Sequence, residues 1–370
     1  MKRLIACLLA AALVMALGAC ASPKAPDTTE STPADTESRS RADMLVGISL
    51  PDETDPRWAA DGEALRQRLE ELGYRVRLVY AGGDALRQAQ QLLELTQAKV
   101  DCMVIAAVDS AVLTQAEQTA AEAGIHMIAY DRLLMDTAHV NYYVSFDNKA
   151  MGRAIAEYIV RTKKLDTAAG ESYTIEFFMG SPEDNNALLL YQGVMEVLQP
   201  YLESGVLVCL TGRTAFEDTC IVDWQEQTAR ENCAAYLGEY YTQQSLDICC
   251  TVSDSFAAGC IAALETAGYT LGAQWPLVTG QDASAHEQLT SGKQAMTVRK
   301  DTALLVEQCT AMVDALLAGE TPRVNDTESC HNNVLTVPAY LCGFEVIEGT
   351  YPPEAPQTQP TQTADTAPTQ

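Results

Sequence analysis

The feature that most constrains the fold of this chain is its regular alternation of short apolar runs with longer amphipathic segments. The runs typical of buried strands are 44–50, 75–80, 102–108, 126–130, 142–146, 173–179, 206–210, 248–252, 277–279 and 295–298. The segments with helical periodicity are 58–72, 84–97, 110–123, 149–161, 186–198, 225–237, 255–267, 284–290 and 302–317. Near-continuous apolar strands that alternate with helices are typical of a parallel sheet covered on both faces. Two such series predict an α/β fold with two doubly wound parallel-sheet domains.

Polar residues that could bind a ligand follow two neighbouring predicted strands. Asp131 and Arg132 come directly after the strand 126–130, and Asp147 and Asn148 come after the next one. In an open parallel sheet, ligands bind just beyond the carboxyl ends of the strands. An acid beside a guanidinium and an amide can bind vicinal hydroxyls, because each hydroxyl donates to the carboxylate and accepts from Arg or Asn. The alternative is a solvated Asp131–Arg132 pair in a turn, with Asp147 and Asn148 capping the next helix.

The same pattern recurs at the other strand ends. The polar residues there are Asp52, Glu53, Asp109, Asp184, Asn185, Asn186, Arg213, Asp254, Gln281, Asp282, Arg299 and Lys300. Helix capping explains some of the acids and amides, but it does not explain the Arg side chains, Lys300 or Gln281. If two domains face each other, these side chains line one cleft with a solvated rim. Trp58 and Trp224 would then cover the C–H faces of a sugar, or alternatively pack in the core or at the rim.

Motifs for other kinds of chemistry are missing from the sequence. It contains no G-x-G-x-x-G, no P-loop and no G-x-S-x-G, so no nucleotide cofactor and no serine hydrolase are predicted. The histidines are scattered and no CxxC pair occurs, so no metal site is predicted. A glycosidase needs two carboxylates, which Asp131 with Asp147 or Asp254 could imitate, but the accompanying cations favour hydroxyl binding over catalysis. The net charge of -26 argues against nucleic acid and anionic membrane as partners.

The N-terminus reads as a targeting signal. A basic start, Lys2 and Arg3, precedes an apolar stretch that is too short for a convincing membrane span. The stretch ends in the sequence LGAC, which resembles a bacterial lipobox and implies cleavage after residue 19 and lipidation of Cys20. An ordinary secretory peptide is the alternative. Residues 20–43 and 349–370 are rich in Pro, Thr and charged or amide residues, so a disordered tether and a disordered tail are predicted.

The cysteines divide into core candidates and pairing candidates. Cys102, Cys209, Cys249, Cys250 and Cys260 lie in apolar patterns and are predicted to pack as small core residues. In an oxidising compartment Cys220 could pair with Cys233, or Cys330 with Cys342. The sequence does not decide the connectivity.

From about residue 46 to 346 the chain resembles the sugar-binding proteins of ABC transporters that have the type I periplasmic binding protein fold. The xylose-binding and multiple-monosaccharide-binding receptors are the most similar branch. The segments that carry the resemblance are RWAADG (57–62), AYDRL (129–133), SFDN (145–148), GSPEDNNA (180–187), VLQPYLESG (197–205), VTGQDA (278–283), TVRKDT (297–302) and VNDT (324–327). Pro56 stands where the family often has Glu, and Arg299 stands where it often has an aromatic residue, so the identity of the sugar stays open. Lactose-repressor-like regulators share the fold but match less well, because a signal peptide replaces any N-terminal DNA-binding helices.

The resemblance implies a set of ligand-binding residues. They are Arg57, Trp58, Asp131, Arg132, Asp147, Asn148, Asn186, Trp224, Asp254, Gln281, Asp282 and Lys300. It also implies an extracytoplasmic receptor without catalytic activity that delivers an aldopentose or aldohexose to an ABC permease. A sugar-sensing receptor for a membrane sensor is the alternative, and a carbohydrate-active enzyme is a third possibility.

The resemblance further implies three chain crossovers between discontinuous domains. Domain one is expected at 44–147 plus 282–320, and domain two at 148–281 plus 321–348. The hinges are expected near Asp147-Asn148, near Gln281-Asp282 and between Glu320 and Val324. Sugar binding would favour a closed form by hinge rotation.

Overall fold

The computed structural model of the protein describes residues 39–168, 170–272, 274–282 and 285–351. The predicted signal peptide, Cys20, most of the predicted tether and nearly all of the predicted tail lie outside these residues. Within them, no helix is long and apolar enough to cross a membrane.

The secondary structure alternates as the sequence predicts. The strands are β1 (Leu45–Leu50), β2 (Arg75–Tyr80), β3 (Cys102–Ile105), β4 (His126–Tyr130), β5 (Tyr142–Phe146), β6 (Tyr173–Phe178), β7 (Leu207–Val208), β8 (Ile248–Thr251), β9 (Leu277–Val278), β10 (Met296–Lys300), β11 (Ala339–Cys342) and β12 (Phe344–Glu348). The helices are α1 (Pro56–Glu71), α2 (Ala85–Gln97), α3 (Thr114–Glu122), α4 (Asn148–Lys163), α5 (Asn185–Glu203), α6 (Phe216–Thr219), α7 (Glu226–Tyr240), α8 (Asp254–Thr266), α9 (His286–Thr290) and α10 (Thr302–Leu317). Each predicted element overlaps one of these, whereas β11, β12 and α6 were not predicted.

The strands form two parallel sheets, which confirms the predicted α/β class. The first sheet has the order β11-β5-β4-β3-β1-β2, and the second has the order β7-β6-β8-β9. Every pairing within these two sheets is parallel. An antiparallel pair, β10 with β12, continues the second sheet, because Ala295 N donates to Val278 O at 2.8 Å and Val298 N donates to Gly280 O at 3.1 Å.

Burial of both faces explains why the strands read as unbroken apolar runs. In β1, Val46, Ile48 and Leu50 are fully buried, and Leu65 and Leu69 of α1 cover them. A fully buried aliphatic side chain contributes about 1.5–3 kcal/mol. This core holds the sheet edge in place, and the site residues depend on that edge.

Aspartates start the helices at the carboxyl edge of the strands. The caps of α1, α2, α4, α5 and α10 are Asp55, Asp84, Asp147, Asp184 and Asp301. In each, the side chain accepts a hydrogen bond from a backbone N–H of the first turn, which satisfies a donor without an intrahelical partner. Some of the strand-end acids are therefore structural caps, as the sequence-based alternative states.

The chain passes between the two sheets at three places. After β5 it crosses at Asp147 into α4, which packs against α5. After β10 it crosses at Asp301 into α10, which packs against α1 and the first sheet. After β11 it crosses at Gly343 into β12.

Only the first crossing coincides with a predicted hinge. The expected crossings at Gln281-Asp282 and between Glu320 and Val324 are not where the chain changes sheets. Consequently residues 296–300 belong with the second sheet, not the first, and residues 339–342 belong with the first sheet, not the second. A strand's partner is set by pairing between distant segments, which apolar patterns do not encode. The division into two moving domains stays a prediction.

The predicted boundaries of the two disordered segments are also wrong, because residues 41–43 and residue 349 belong to the folded part of the chain. Arg41–Asp43 forms a 3-10 helix, and the Arg41 guanidinium lies 2.7 Å from an Asp314 carboxylate oxygen. At the other end, Gly349 N donates to Ala295 O at 2.8 Å. Arg41 thus contacts the folded body through its side chain, and Gly349 contacts it through its backbone.

The described cysteines are all free thiols, so neither alternative disulfide is formed in this structure. Cys102, Cys249, Cys250 and Cys260 are buried as predicted, whereas Cys209 is only half-buried. Their packing role therefore stands for the first four.

Candidate ligand-binding site

The first helix presents a guanidinium to the edge of the first sheet. Asp55 caps α1 and Pro56 is its first residue. Arg57 and Trp58 therefore lie in the first turn of α1, near the carboxyl ends of the strands. Arg57 forms a bidentate ion pair with Asp131, in which Nη2 lies 3.0 Å from Oδ1 and Nη1 lies 3.1 Å from Oδ2. The central guanidinium carbon lies 4.4 Å from the centroid of the Trp58 ring. The carboxylate and the ring both constrain the orientation of the guanidinium.

Asp131 is buried in a tight turn at the end of β4. Its φ is +60°, and only 4% of the residue is exposed. Its carbonyl oxygen accepts hydrogen bonds from Tyr143 Oη and Ser145 Oγ, both at 2.8 Å, and from Asn186 Nδ2 at 2.9 Å. The expectation of a solvated rim is therefore wrong at this residue. The alternative of a solvated Asp131–Arg132 pair is also wrong, because the Asp131 carboxylate pairs with Arg57.

The charges of this pair are mutually stabilised. Burial alone would raise the pKa of the Asp131 carboxyl, but the positive charges of Arg57 and Lys300 lower that pKa below its ordinary value. Burial alone would lower the pKa of Arg57, but the Asp131 carboxylate raises it. Both groups are therefore ionised at neutral pH.

Arg132 joins the two sheets. Its Nη1 donates to the carbonyl oxygens of Ala107 at 2.9 Å and Val108 at 3.3 Å, both of which follow β3. Its Nε lies 3.2 Å from Oδ2 of Asp184, the cap of α5 on the second sheet. The guanidinium carbon lies 5.4 Å from the Trp58 ring centroid. Trp58 is 4% exposed and contacts two guanidinium groups, so its role here is to position cations.

Two amides connect the sheets behind Asp131. Asn148 Nδ2 donates to Asn186 Oδ1 at 2.8 Å, and Asn186 Nδ2 donates in turn to the Asp131 carbonyl. Asp147 lies apart from this network: it accepts from Ala150 N at 2.8 Å as the cap of α4. It also lines a cavity of about 420 Å³ at the third crossing. Ligand binding by Asp147 stays a prediction.

The second sheet contributes a chain of hydrogen bonds that leads back to Asp131. Asp254 N donates to Gln281 O at 2.8 Å, and Gln281 Nε2 donates to Asp282 Oδ1 at 2.9 Å. The same Asp282 oxygen lies 2.8 Å from Lys300 Nζ. Lys300 acts electrostatically on Asp131 and helps to lower its pKa. The structure therefore brings these four predicted residues to the same region as Arg57 and Asp131.

The Asp254 carboxylate is held by neutral donors. Its Oδ1 accepts from Gln294 Nε2 at 2.7 Å and from Thr297 Oγ1 at 2.8 Å. Neither donor was singled out from the sequence, because each lies far along the chain from Asp254 and shares no motif with it.

Trp224 packs against the second sheet. Its ring stacks on Phe256 with centroids 5.6 Å apart and planes inclined by 18°. Gly180 lies directly beneath the indole, since a Cβ built there would be 2.1 Å from the ring. Among the residues that the structure describes, the buried Trp224 Nε1 and Gln281 Oε1 have no hydrogen-bond partner. Buried polar atoms without partners are rare, and a ligand is one of the groups that can supply the missing bond.

Sequence reasoning missed two acids of the site. Asp184 was recognised as a strand-end residue but not as the partner of Arg132. Asp61 was not singled out, although it lies one helical turn after Arg57, and its Oδ2 is 3.6 Å from Arg57 Nε. The i,i+4 spacing of an arginine and an acid is the signal that could have found it.

The site combines three cations with a larger set of acids and amides, an arrangement suited to a ligand with many hydroxyl groups. Arg57, Arg132 and Lys300 each already pair with a carboxylate. Within the described ranges, no group of three His, Cys, Asp or Glu residues could hold a metal ion.

Comparison with known proteins gives consistent matches. The model of the periplasmic binding protein domain matches residues 46–321. The multiple sugar-binding periplasmic receptor ChvE of Rhizobium radiobacter is 37% identical over 299 residues, which cover 80% of this chain and 84% of that protein. The D-xylose-binding periplasmic protein of Haemophilus influenzae is 30% identical over 302 residues, which cover 81% and 84% of the two chains.

A solved structure agrees with these relatives. An ABC transporter solute-binding protein from Clostridium phytofermentans with bound β-D-glucose superposes with a TM-score of 0.78 at 38% identity. The match covers 82% of this chain and 94% of that one. All of these similar proteins are binding proteins rather than enzymes, which agrees with the expectation of no catalytic activity.

Proposed function

The chain belongs to the periplasmic binding protein family, and on that premise we propose that it is an extracytoplasmic receptor that captures a monosaccharide and delivers it to an ABC permease. The relatives bear names of sugar-binding receptors, and the solved structure holds glucose. The ligand is an aldopentose or an aldohexose. It binds where the carboxyl edges of the two sheets meet.

One observation carries the assignment of the site. At the end of the first sheet the cations lie in ion pairs with acids, although Nε and Nη2 of Arg57 and Nε of Arg132 make no hydrogen bond. On the second sheet, Trp224 Nε1 and Gln281 Oε1 are buried with neither a hydrogen bond nor an ion pair among the described residues. A sugar hydroxyl both donates and accepts, so a hydroxyl can bond to the indole N–H and another to the amide oxygen. The predicted ligand-binding residues other than Asp147 and Trp224 are linked to one another by the contacts described above.

Calorimetric titration with a panel of aldopentoses and aldohexoses tests the function. We expect at least one sugar, with D-glucose and D-xylose as the first candidates, to bind with micromolar or tighter affinity, about -8 kcal/mol. Amino acids and nucleobases serve as the negative panel. Binding of a compound from that panel, with no sugar bound, would overturn the proposal.

Sugar binding is proposed to close the two sheets over the ligand by rotation at Asp147, Asp301 and Gly343. A ligand shifts such an equilibrium only through its different affinities for the two states. Small-angle scattering with and without saturating sugar should show a smaller radius of gyration in the bound protein. An unchanged scattering profile would contradict the hinge.

Membrane attachment through a lipid on Cys20 is a further part of the proposal. The LGAC sequence at residues 17–20 supports it. Expression of the full chain with Cys20→Ser should leave the precursor uncut or release the protein from the membrane. Unchanged processing and unchanged membrane association would exclude the anchor.

A sensing role and an enzymatic role make different predictions from transport. Loss of the cognate permease should abolish sugar uptake while leaving sugar-dependent gene expression intact if the receptor also feeds a membrane sensor. Release of product from glycosides above background would favour the enzyme.

A further inference from the structure

Asp61 is a buried acid that touches three segments of the site. It is 2% exposed, and its Oδ2 lies 3.6 Å from Arg57 Nε. The hydroxyl of Tyr130 donates to the same oxygen at 3.0 Å. The Thr302 side chain is near enough to act on the same carboxyl, whose pKa it lowers against the raising effect of burial. Arg57 is itself a predicted ligand-binding residue, Tyr130 directly precedes Asp131, and Thr302 follows Lys300 by two residues.

We propose that Asp61 is a positioning residue that orients the guanidinium of Arg57 for sugar binding and ties it to the segment that carries Asp131. The proposal rests on the proposed sugar-binding function. Asp61 acts through Arg57 and not by direct contact with the sugar, because its carboxylate is occupied by protein partners.

The geometry explains why one carboxylate is not enough to orient Arg57. A guanidinium has five N–H donors in one plane. Asp131 accepts a hydrogen bond from Nη1 and lies 3.0 Å from Nη2, so it holds only the outer end of the group and leaves Nε without a hydrogen bond. The Asp61 carboxylate lies 3.6 Å from Nε and restrains this side of the group by its charge. The two remaining Nη–H bonds are then held in fixed directions for sugar hydroxyls.

The same acid links positions that are far apart in sequence. Tyr130 directly precedes Asp131 in β4, and Thr302 begins α10 two residues after Lys300. Thr302 also directly follows the crossing at Asp301. The buried carboxylate therefore connects the start of α1 with the end of β4, and the start of α10 lies close to it. A shift of any of them would move a sugar-binding charge.

A double-mutant cycle measured by sugar calorimetry tests this role. Asp61→Asn should weaken the affinity for the best-binding sugar by about tenfold, because Nε loses its charged partner. Tyr130→Phe removes one hydroxyl donor with little change of shape, and about a threefold loss is expected. In an Arg57→Met background, titrated at high sugar concentration, either change should alter the affinity by less than about twofold. Additive losses in that background would show a merely structural role and overturn the proposal.

A matched control separates positioning from general stability. Asp314 also accepts a tyrosine hydroxyl, from Tyr74 at 2.7 Å, and pairs with Arg41, but both partners lie away from the site residues. Asp314→Asn should lower the melting temperature and leave the sugar affinity unchanged. If the wild type binds no sugar, the proposed function itself fails. If the wild type binds and Asp61→Asn and Tyr130→Phe bind equally well, only the positioning role fails.

Discussion

The two sheet edges that form the candidate site hold their polar groups in different ways. At the first edge, Arg57 and Asp131 form an ion pair, and the Asp131 carbonyl accepts three further hydrogen bonds. The buried arginine nitrogens there that make no hydrogen bond, Nε and Nη2 of Arg57 and Nε of Arg132, lie in ion pairs with carboxylates 3.0–3.6 Å away. At the second edge, Gln281 and Trp224 each keep one buried polar atom without a partner among the described residues.

The polar groups of the first edge have partners inside the protein, so they contribute to the stability of the fold without ligand. The two unpartnered atoms of the second edge need a ligand to complete their hydrogen bonds. Removing one partner of a buried ion pair leaves an uncompensated charge, which costs about 3–5 kcal/mol. A buried polar atom that lacks a partner already carries its desolvation cost, and a ligand that bonds to it recovers that cost. Substitutions at the first edge should therefore change stability and affinity together, and those at the second edge should change affinity alone.

The largest effect is expected for Asp131→Ala. The change removes the nearest charged partner of the partly buried Arg57 guanidinium, so the free energy of unfolding without sugar should fall, by less than the cost of about 3–5 kcal/mol for a fully buried pair because Asp61 remains. Sugar affinity should fall at least about tenfold, since the cation is no longer oriented. Chemical denaturation and calorimetry on the same variant measure both quantities.

The control for this variant is the exposed pair of Glu63 and Arg66. These side chains lie in ion-pair contact on α1, but they are 57% and 37% exposed. Glu63→Ala should change neither quantity measurably, because exposed pairs are screened by solvent. Asp131→Ala with normal stability would mean that the first edge is solvated after all.

A smaller effect is expected for Gly180→Ala, which tests how the second edge holds its aromatic ring. The added methyl would lie 2.1 Å from the Trp224 ring, so the indole must move away from Phe256. Overpacking of this kind costs about 1–3 kcal/mol, and we expect the loss to appear mainly in sugar affinity because the ring is only half-buried.

Gly238→Ala is the matched control for that variant. Gly238 lies in α7, and a Cβ there meets nothing within 4 Å. Its affinity should equal that of the wild type, with a slight gain in stability from the better helix propensity of alanine. Equal sugar affinity in the two glycine variants would exclude Trp224 from the site.

Trp224→Phe should have a still smaller effect. It separates a loss of sugar affinity from a loss of stability most directly. It removes the unpartnered indole N–H, so sugar affinity should fall about threefold to tenfold while the apo melting temperature stays nearly constant. Trp275→Phe should do the reverse, because Trp275 Nε1 already donates to Lys293 O at 2.8 Å inside the protein. A stability loss in the Trp224 variant would show that its N–H has a partner without sugar.

The smallest effect is expected from pH. The lowered pKa of Asp131 means that its contribution to stability is present above its ordinary pKa of about 3.9 and is lost as pH falls through the lower folded value. The stability difference between the wild type and Asp131→Asn should therefore be constant from about pH 5 to 8 and shrink below about pH 4. Denaturation curves at several pH values measure it, and a difference that shrinks between pH 7 and 5 would contradict the ion pair.

Much of the site was visible in the sequence because strand ends in a parallel sheet meet at one edge. Asp131, Arg132, Asn148, Asn186 and Asp254 were found in this way, as the first polar residues after apolar runs. Their partners were not. Asp131 pairs with Arg57 rather than with its neighbour Arg132, because the turn at φ +60° directs the two side chains apart.

By itself the sequence determined the α/β class, the order of the elements and the polar character of the sheet edge, because these depend on local periodicity and on the residue types directly after each strand. Only the tertiary structure decided which strands pair, where the chain crosses between sheets and which acid holds which cation. Gly343 and Asp301 are crossings because β11 pairs with β5 and β10 with β12, and Asp61 matters because folding brings Tyr130 and Thr302 to it. Such contacts join residues far apart in the chain, and no local pattern records them.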